Sequence, residues 1–280
     1  MQSVASSEQK AVSRITTTFE RLKRDHRIAL IGFLAAGDPD FERSFDIVSA
    51  ACDAGLNVLE LGIPFSDPTA DGPVIQRASQ RAIQAGMTLE KGLHFVKLLR
   101  ETHDLPIILF SYSRPIVAFG AERFVAEAIH AGADGALIVD LPDENAGEIL
   151  QFAGSIGSGR VFHLIRLIAP TTDMARRSEI LREADGFIYC VSRRGVTGAN
   201  TAGHTIDWDE LTRTMAALRA ETAVPLCIGF GISSADDVRA VAKIADGAII
   251  GSAFQQVIEE NPDTAKTKIR EMIRRFREVA

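Results

Sequence analysis

Glu60 is the residue whose type and setting point most directly to chemistry. It stands in the stretch 57–76, NVLELGIPFSDPTADGPVIQ, where strand alternation puts Val58, Glu60 and Gly62 on one face and Leu59 and Leu61 on the other. The leucines suit a helix-covered face, which turns Glu60 the opposite way, into the protein. Burial disfavours the charged form of a carboxyl and moves it from about 4.3 toward neutrality, where a general acid–base works. The competing reading is a structural ion pair, with His163 or Arg166 as the cation. Asp67 and Asp71 follow among Pro64, Pro68, Gly72 and Pro73. Each is an ordinary turn or cap residue by type. The loop is also long enough to bring a second carboxylate over the first.

A second set of residues lies far downstream. Three glycine-bearing stretches, RRGVTGAN at 193–200, GFGISS at 229–234 and GSA at 251–253, offer backbone that a ligand can approach closely. Gly251 and Ser252 open an apolar stretch, 253–258, that reads as a short helix with its N-terminus free to hold a phosphate. The plainer alternative is that these glycines only make tight turns. Other chemistries find no motif. The six histidines lack HxH or HExxH spacing, so no metal site is expected, and neither a P-loop, a Gly-x-Ser-x-Gly elbow nor a dinucleotide fingerprint is present. Asp140, just before Pro142, reads as a loop anchor, and Phe19 and Trp208 read as packing residues.

The elements that must position these residues repeat along the chain. Eight short apolar runs occur at 28–34, 58–61, 107–110, 136–139, 161–165, 187–191, 226–228 and 248–250. Amphipathic stretches such as 41–54, 89–101, 121–131, 211–221 and 235–244 alternate with them. Strand and helix in strict alternation mean a parallel sheet, and all-apolar strands mean burial on both faces. Eight units in about 250 residues favour a closed (β/α)8 TIM barrel over an open sheet. Two helices are extra: 13–24 ahead of the first strand, placed to cap the barrel's bottom, and 75–85 in the connection between strands two and three. Residues 13–280 thus read as one barrel domain, preceded by a polar extension, 1–12, expected to be disordered. Charge at the C-terminal end of a barrel strand reads as catalytic, and loops after the last two strands commonly hold phosphate.

Bulk properties narrow the partners. Net charge is −6, with basic residues scattered rather than striped, which argues against nucleic acid. Three cysteines without CxxC spacing suit a reducing cytoplasm, and no apolar run reaches the length of a membrane span.

Taken together, these stretches resemble the tryptophan synthase alpha chain family. The resemblance is carried by LELGIPFSDPTADGPVIQ at 59–76, and continues in FLAAGDPD at 33–40, APTT at 169–172, SRRGVTGA at 192–199, GFGIS at 229–233 and GSA at 251–253. It implies retro-aldol cleavage of indole-3-glycerol phosphate to indole and glyceraldehyde 3-phosphate, without a cofactor in this chain. It also implies that Glu60 shuttles protons at indole C3 and the glycerol hydroxyl, while Asp71 meets the indole N–H. Phe33, Ile75 and Tyr189 would line the indole pocket, with Tyr112 and Phe230 also at the substrate. Gly198, Gly231, Gly251 and Ser252 would bind phosphate, and Thr197 would touch Asp71 on loop closure. The implied partner is a beta chain carrying pyridoxal phosphate, in an αββα tetramer. One departure falls at 112–115, Tyr-Ser-Arg-Pro, where the family usually has Tyr-Tyr-Asn-Pro, so that Arg114 adds charge and bulk on the partner-facing loop. Arg114 keeps a stand-alone lyase in play. A non-catalytic barrel that only activates a partner, and a sugar-phosphate isomerase, are the readings from other classes.

Overall fold

The computed structural model describes residues 13–141, 143–155, 161–192 and 206–280. The extension 1–12 lies outside them. In chain order the elements are α1 (Arg14–Arg24), β1 (Ala29–Ala35), α2 (Phe41–Ala54), β2 (Val58–Gly62), α3 (Pro73–Gln84), α4 (Leu89–Arg100), β3 (Ile107–Ser111) and α5 (Ser113–Phe119). They continue as α6 (Ala121–Ala131), β4 (Gly135–Ile138), α7 (Asp143–Ser155), β5 (His163–Leu164), β6 (Arg166–Ile168), α8 (Met174–Glu183) and β7 (Ile188–Val191). The last are α9 (Trp208–Glu221), β8 (Leu226–Gly229), α10 (Ala235–Val241), β9 (Gly247–Ile250), α11 (Ser252–Glu260) and α12 (Ala265–Arg277). Helix starts follow local sequence: the side chains of Ser13, Asp40, Thr88, Asp173, Asp207 and Ser234 each accept from an amide of their own first turn.

All strand pairs are parallel, in the order β5-β4-β3-β2-β1-β9-β8-β7-β6. β5 and β6 are two halves of one stave, interrupted only at Ile165. The first half pairs with β4 and the second with β7, so the covalent chain carries the ring around to closure. This is the eight-stave barrel expected from the sequence. The fifth stave runs further than the apolar run at 161–165, because its second half begins with Arg166, a buried arginine paired with Glu183 at 3.2 Å. A charged residue inside a strand ends an apolar run without ending the strand. Helix α5 also departs from expectation. Its first residue has no cap nearby in sequence; instead Asp140 accepts from Ser113 N (2.6 Å) and Ser113 Oγ (3.0 Å) across the rim.

Two apolar layers hold the molecule. The outer one, between sheet and helices, includes Leu59 and Leu61. The inner one fills the ring with Ala29, Ile31, Val58, Ile108, Leu137 and Ile165, among others. Helix α1 plugs the N-terminal end of the ring, inserting Ile15, Phe19 and Leu22 into that inner layer, with Phe19 and Phe187 ring centroids 5.9 Å apart. Burying such side chains contributes about 1.5–3 kcal/mol each. Arg14 fastens the plug through Asp134 (3.0 Å) and Asp104 (2.6 Å), and Ser13 Oγ lies 2.7 Å from His163 Nε2. With the N-terminal end of the ring filled by α1, the interior of the barrel is left to open at its C-terminal end. Among the described residues no helix is long and apolar enough to cross a membrane.

Candidate active site

Strand register places Glu60 beside Phe33 of β1 and Ile108 of β3. The leucines on either side face the helices, so Glu60 faces the inside of the ring, as the alternation predicts. Its relative exposure is 0%, and neither carboxyl oxygen has a hydrogen-bond partner. Burial alone pushes its pKa up to about 8. The competing ion-pair reading fails on geometry. His163 lies 2.9 Å from Asp185 and beside Ser13 at the plugged end, and Arg166 pairs with Glu183. Among the described residues no cation is paired with the Glu60 carboxyl.

The loop after β2 separates its two acids. Asp67 is exposed and accepts from the Ser66 hydroxyl at 2.5 Å, a turn role. The following turn bonds Asp71 N to Pro68 O (3.0 Å), and Gln76 Nε2 donates to Asp71 O (2.9 Å). Helix α3 then starts with Pro73 in its first turn, which fixes the chain direction just after Asp71. The Asp71 carboxylate is 7% exposed and faces the same cavity as Glu60. Burial raises its pKa to about 6, partly offset by a hydrogen bond donated by Tyr112 Oη to Oδ2 at 3.0 Å. The same phenol accepts from Ala70 N (3.2 Å), and Phe65 packs on its ring at 5.4 Å. Tyr112 therefore stands behind Asp71 rather than in the cavity wall.

The cavity between the two carboxylates measures ≈ 370 Å³. Aromatic and aliphatic side chains line its middle. Phe33 meets Phe110 edge-on with centroids 5.0 Å apart, and Tyr189 meets Phe230 edge-on at 6.0 Å, with Ile75 beside them. Gly62 is glycine for a steric reason: a Cβ there would lie 2.6 Å from the Phe33 ring. Such walls suit a flat apolar group.

The far end is polar, made by Gly231, Gly251 and Ser252. Helices α10 and α11 both start here, but differ as anion sites. The α10 start is occupied by its own capping box, Asp237 Oδ2 accepting from Ser233 N (3.0 Å) and Ser234 N (2.9 Å). The α11 start has Gly251 as N-cap, no side-chain cap and no acid in its first turn. Its amides and positive dipole end thus stay available to an anion.

Of the residues singled out from sequence, Glu60, Asp71, Phe33, Ile75 and Tyr189 come together in this one cavity. Phe230, Gly231, Gly251 and Ser252 join them there. Thr197 and Gly198 lie outside the described residues. Ser233, from the GFGISS stretch, lines it too, while sequence reasoning missed Phe110, Val74, Ile249 and Gln256. Alternation along β3 and β9 could have found Phe110 and Ile249; the others carry no local signal. Among the described residues no cluster of His, Cys, Asp and Glu is placed to hold a metal.

A stoppered parallel barrel whose open end pairs a neutral, buried acid with a second carboxyl defines a class: a (β/α)8-barrel enzyme of the acid–base kind. Residues 19–280 match the family model for the tryptophan synthase alpha chain. The chain is 51% identical over 250 residues to the tryptophan synthase alpha chain of Desulfatibacillum aliphaticivorans, covering 89% of this chain and 91% of that one. To the alpha chain of Desulfosudis oleivorans it is 49% identical over 257 residues, covering 91% and 94%. The crystal structure of tryptophan synthase subunit alpha from Legionella pneumophila superposes with a TM-score of 0.85 at 33% identity, over 96% of this chain and 98% of that one. The chain belongs to the tryptophan synthase alpha chain family, and its role is that of the alpha subunit, a lyase, in tryptophan biosynthesis.

Proposed function

We propose that this chain cleaves indole-3-glycerol phosphate by a retro-aldol reaction, with Glu60 and Asp71 as the catalytic pair and no cofactor of its own. The observation that carries the reading is Glu60, buried, unpaired and lining the cavity. With a pKa of about 8 it is protonated at neutral pH and able to give its proton to indole C3. Protonation there places positive charge on the ring nitrogen. Asp71, at about 6, is ionised at neutral pH and accepts the indole N–H, stabilising that charge. Glu60, now a carboxylate, takes the proton of the glycerol hydroxyl next to the ring. The bond between ring and side chain breaks, its electron pair returns to the indole, and the oxygen leaves as the aldehyde of glyceraldehyde 3-phosphate. Glu60 ends protonated as it began, so the cycle balances.

Phe33, Ile75 and Tyr189 hold the indole, and Gly231, Gly251 and Ser252 hold the phosphate. Thr197 and Gly198 lie outside the described residues and enter as substrate contacts only through the family resemblance. The partner is a beta chain that carries pyridoxal phosphate, assembled as αββα. Support for a docking face comes from Val117 on α5 and Met174 on α8, which leave apolar side chains 71% and 75% exposed.

The test is indole release from indole-3-glycerol phosphate by the purified protein. Glu60→Gln and Asp71→Asn are each expected to lower kcat by about 10²–10⁴ while remaining folded. The wild-type kcat/KM should be bell-shaped, falling below about 6 as Asp71 protonates and above about 8 as Glu60 ionises. Wild-type turnover in both variants would refute the assignment.

A further inference from the structure

Ser192 stands one residue beyond β7, half-buried and outside the wall of the active-site cavity. Its peptide N–H donates to Gly229 O (3.0 Å), and its hydroxyl donates to Phe230 O. Gly229 ends β8, and Phe230 begins the turn that leaves it. That turn holds Phe230 at φ 72° and Gly231 at φ 84°. The left-handed region suits glycine but disfavours phenylalanine, so Phe230 persists there only with support from its surroundings. Its ring has support from Tyr189. Its backbone has support from Ser192.

The backbone latch bears on chemistry because a trans peptide is planar, with C=O and N–H pointing in opposite directions. Holding the Phe230 carbonyl against Ser192 therefore aims the Gly231 N–H the other way. Gly231 lines the cavity near Ser252. Beyond Ile232, the amides of Ser233 and Ser234 are already taken by Asp237. The orientation of this peptide thus sets whether the Gly231 amide is among those the turn after β8 can offer an anion.

We infer that Ser192 is a positioning residue for anion binding, setting the Phe230–Gly231 peptide so that the Gly231 N–H donates to the substrate's phosphate. The inference rests on the proposed function, in which the phosphate sits between Gly231 and Ser252. Ser192 acts through the peptide and does not touch the substrate.

The experiment titrates inorganic phosphate into wild-type, Ser192→Ala and Ser192→Thr proteins by calorimetry, alongside steady-state kinetics with indole-3-glycerol phosphate. Ser192→Ala is expected to weaken phosphate binding roughly five- to tenfold, the scale of one neutral hydrogen bond. KM should rise by a similar factor, with a smaller change in kcat and unmoved pH limbs. Ser192→Thr keeps the hydroxyl and should restore both values. Ser192→Cys, a weak donor, makes the same comparison if the alanine variant does not fold. Phosphate affinity equal to wild type in the alanine or cysteine variant would overturn the role of Ser192. Absence of competitive phosphate binding in the wild type is a separate result, and would overturn the phosphate cradle itself.

Discussion

Between pH 4.5 and about 8, Glu60 is ionised in the unfolded chain and protonated in the folded one. The folded state therefore binds more protons over this interval, and its stability falls as pH rises. The penalty is absent below the unfolded value, grows through the interval and is complete above the folded one. For a fully buried carboxyl shifted this far it is on the order of 3–5 kcal/mol. Glu60→Gln removes the charge and keeps the shape. Thermal unfolding across pH should show the variant gaining on the wild type from pH 4.5 upward and levelling off above about 8. A pH-independent difference would mean that Glu60 is not held neutral. The burial that raises the Glu60 pKa, on which the proposed proton transfer relies, also weakens the fold as pH rises.

Two helices must keep their places for the site to exist: α3, which follows Asp71 and carries Ile75, and α11, which begins at Ser252. A buried carboxylate, Asp38, ties them. Arg81 of α3 donates to both its oxygens (2.8 Å each) and reaches Glu259 of α11 (3.1 Å). Gln255 of α11, in the amide orientation that satisfies both its ends, donates to Asp38 (3.0 Å) and accepts from Ala35 N (2.7 Å). Burial raises the Asp38 pKa, and Arg81 only partly offsets that. Asp38→Ala leaves Arg81 and Gln255 without their shared acceptor, and is expected to cost about 2–4 kcal/mol in urea unfolding. Arg77→Ala, which breaks a solvent-screened pair on the exposed side of the same helices, should cost far less. Equal losses would show that Asp38 is not the centre of the tie.

At the scale of the whole molecule, α1 plugs the N-terminal end of the ring, and the exposed Val117 lies toward the other end, on the helix following β3. Arg114, the departure from the family pattern, is exposed on the same helix. Adding a tryptophan synthase beta chain should raise the rate of indole formation, and Val117→Asp should weaken co-purification without altering the isolated chain's own rate. A beta chain that neither binds nor accelerates the reaction would favour the stand-alone lyase.

Local rules were enough for much of this protein. Period-two alternation turned Glu60 inward, apolar runs counted the staves, and glycine-bearing stretches marked Gly231 and Gly251 in the cavity lining, because each depends on neighbours a few residues away. Contacts across the ring were beyond such rules. Asp140 caps a helix 27 residues earlier, Tyr112 holds Asp71 from 41 residues away, and Ser192 latches Phe230 from 38. Nothing in the intervening sequence encodes these distances, and only closure of the barrel brings the ends of different strands together. Whether Glu60 met an arginine or an empty cavity was decided in the same way, by which side chains the ring placed opposite it.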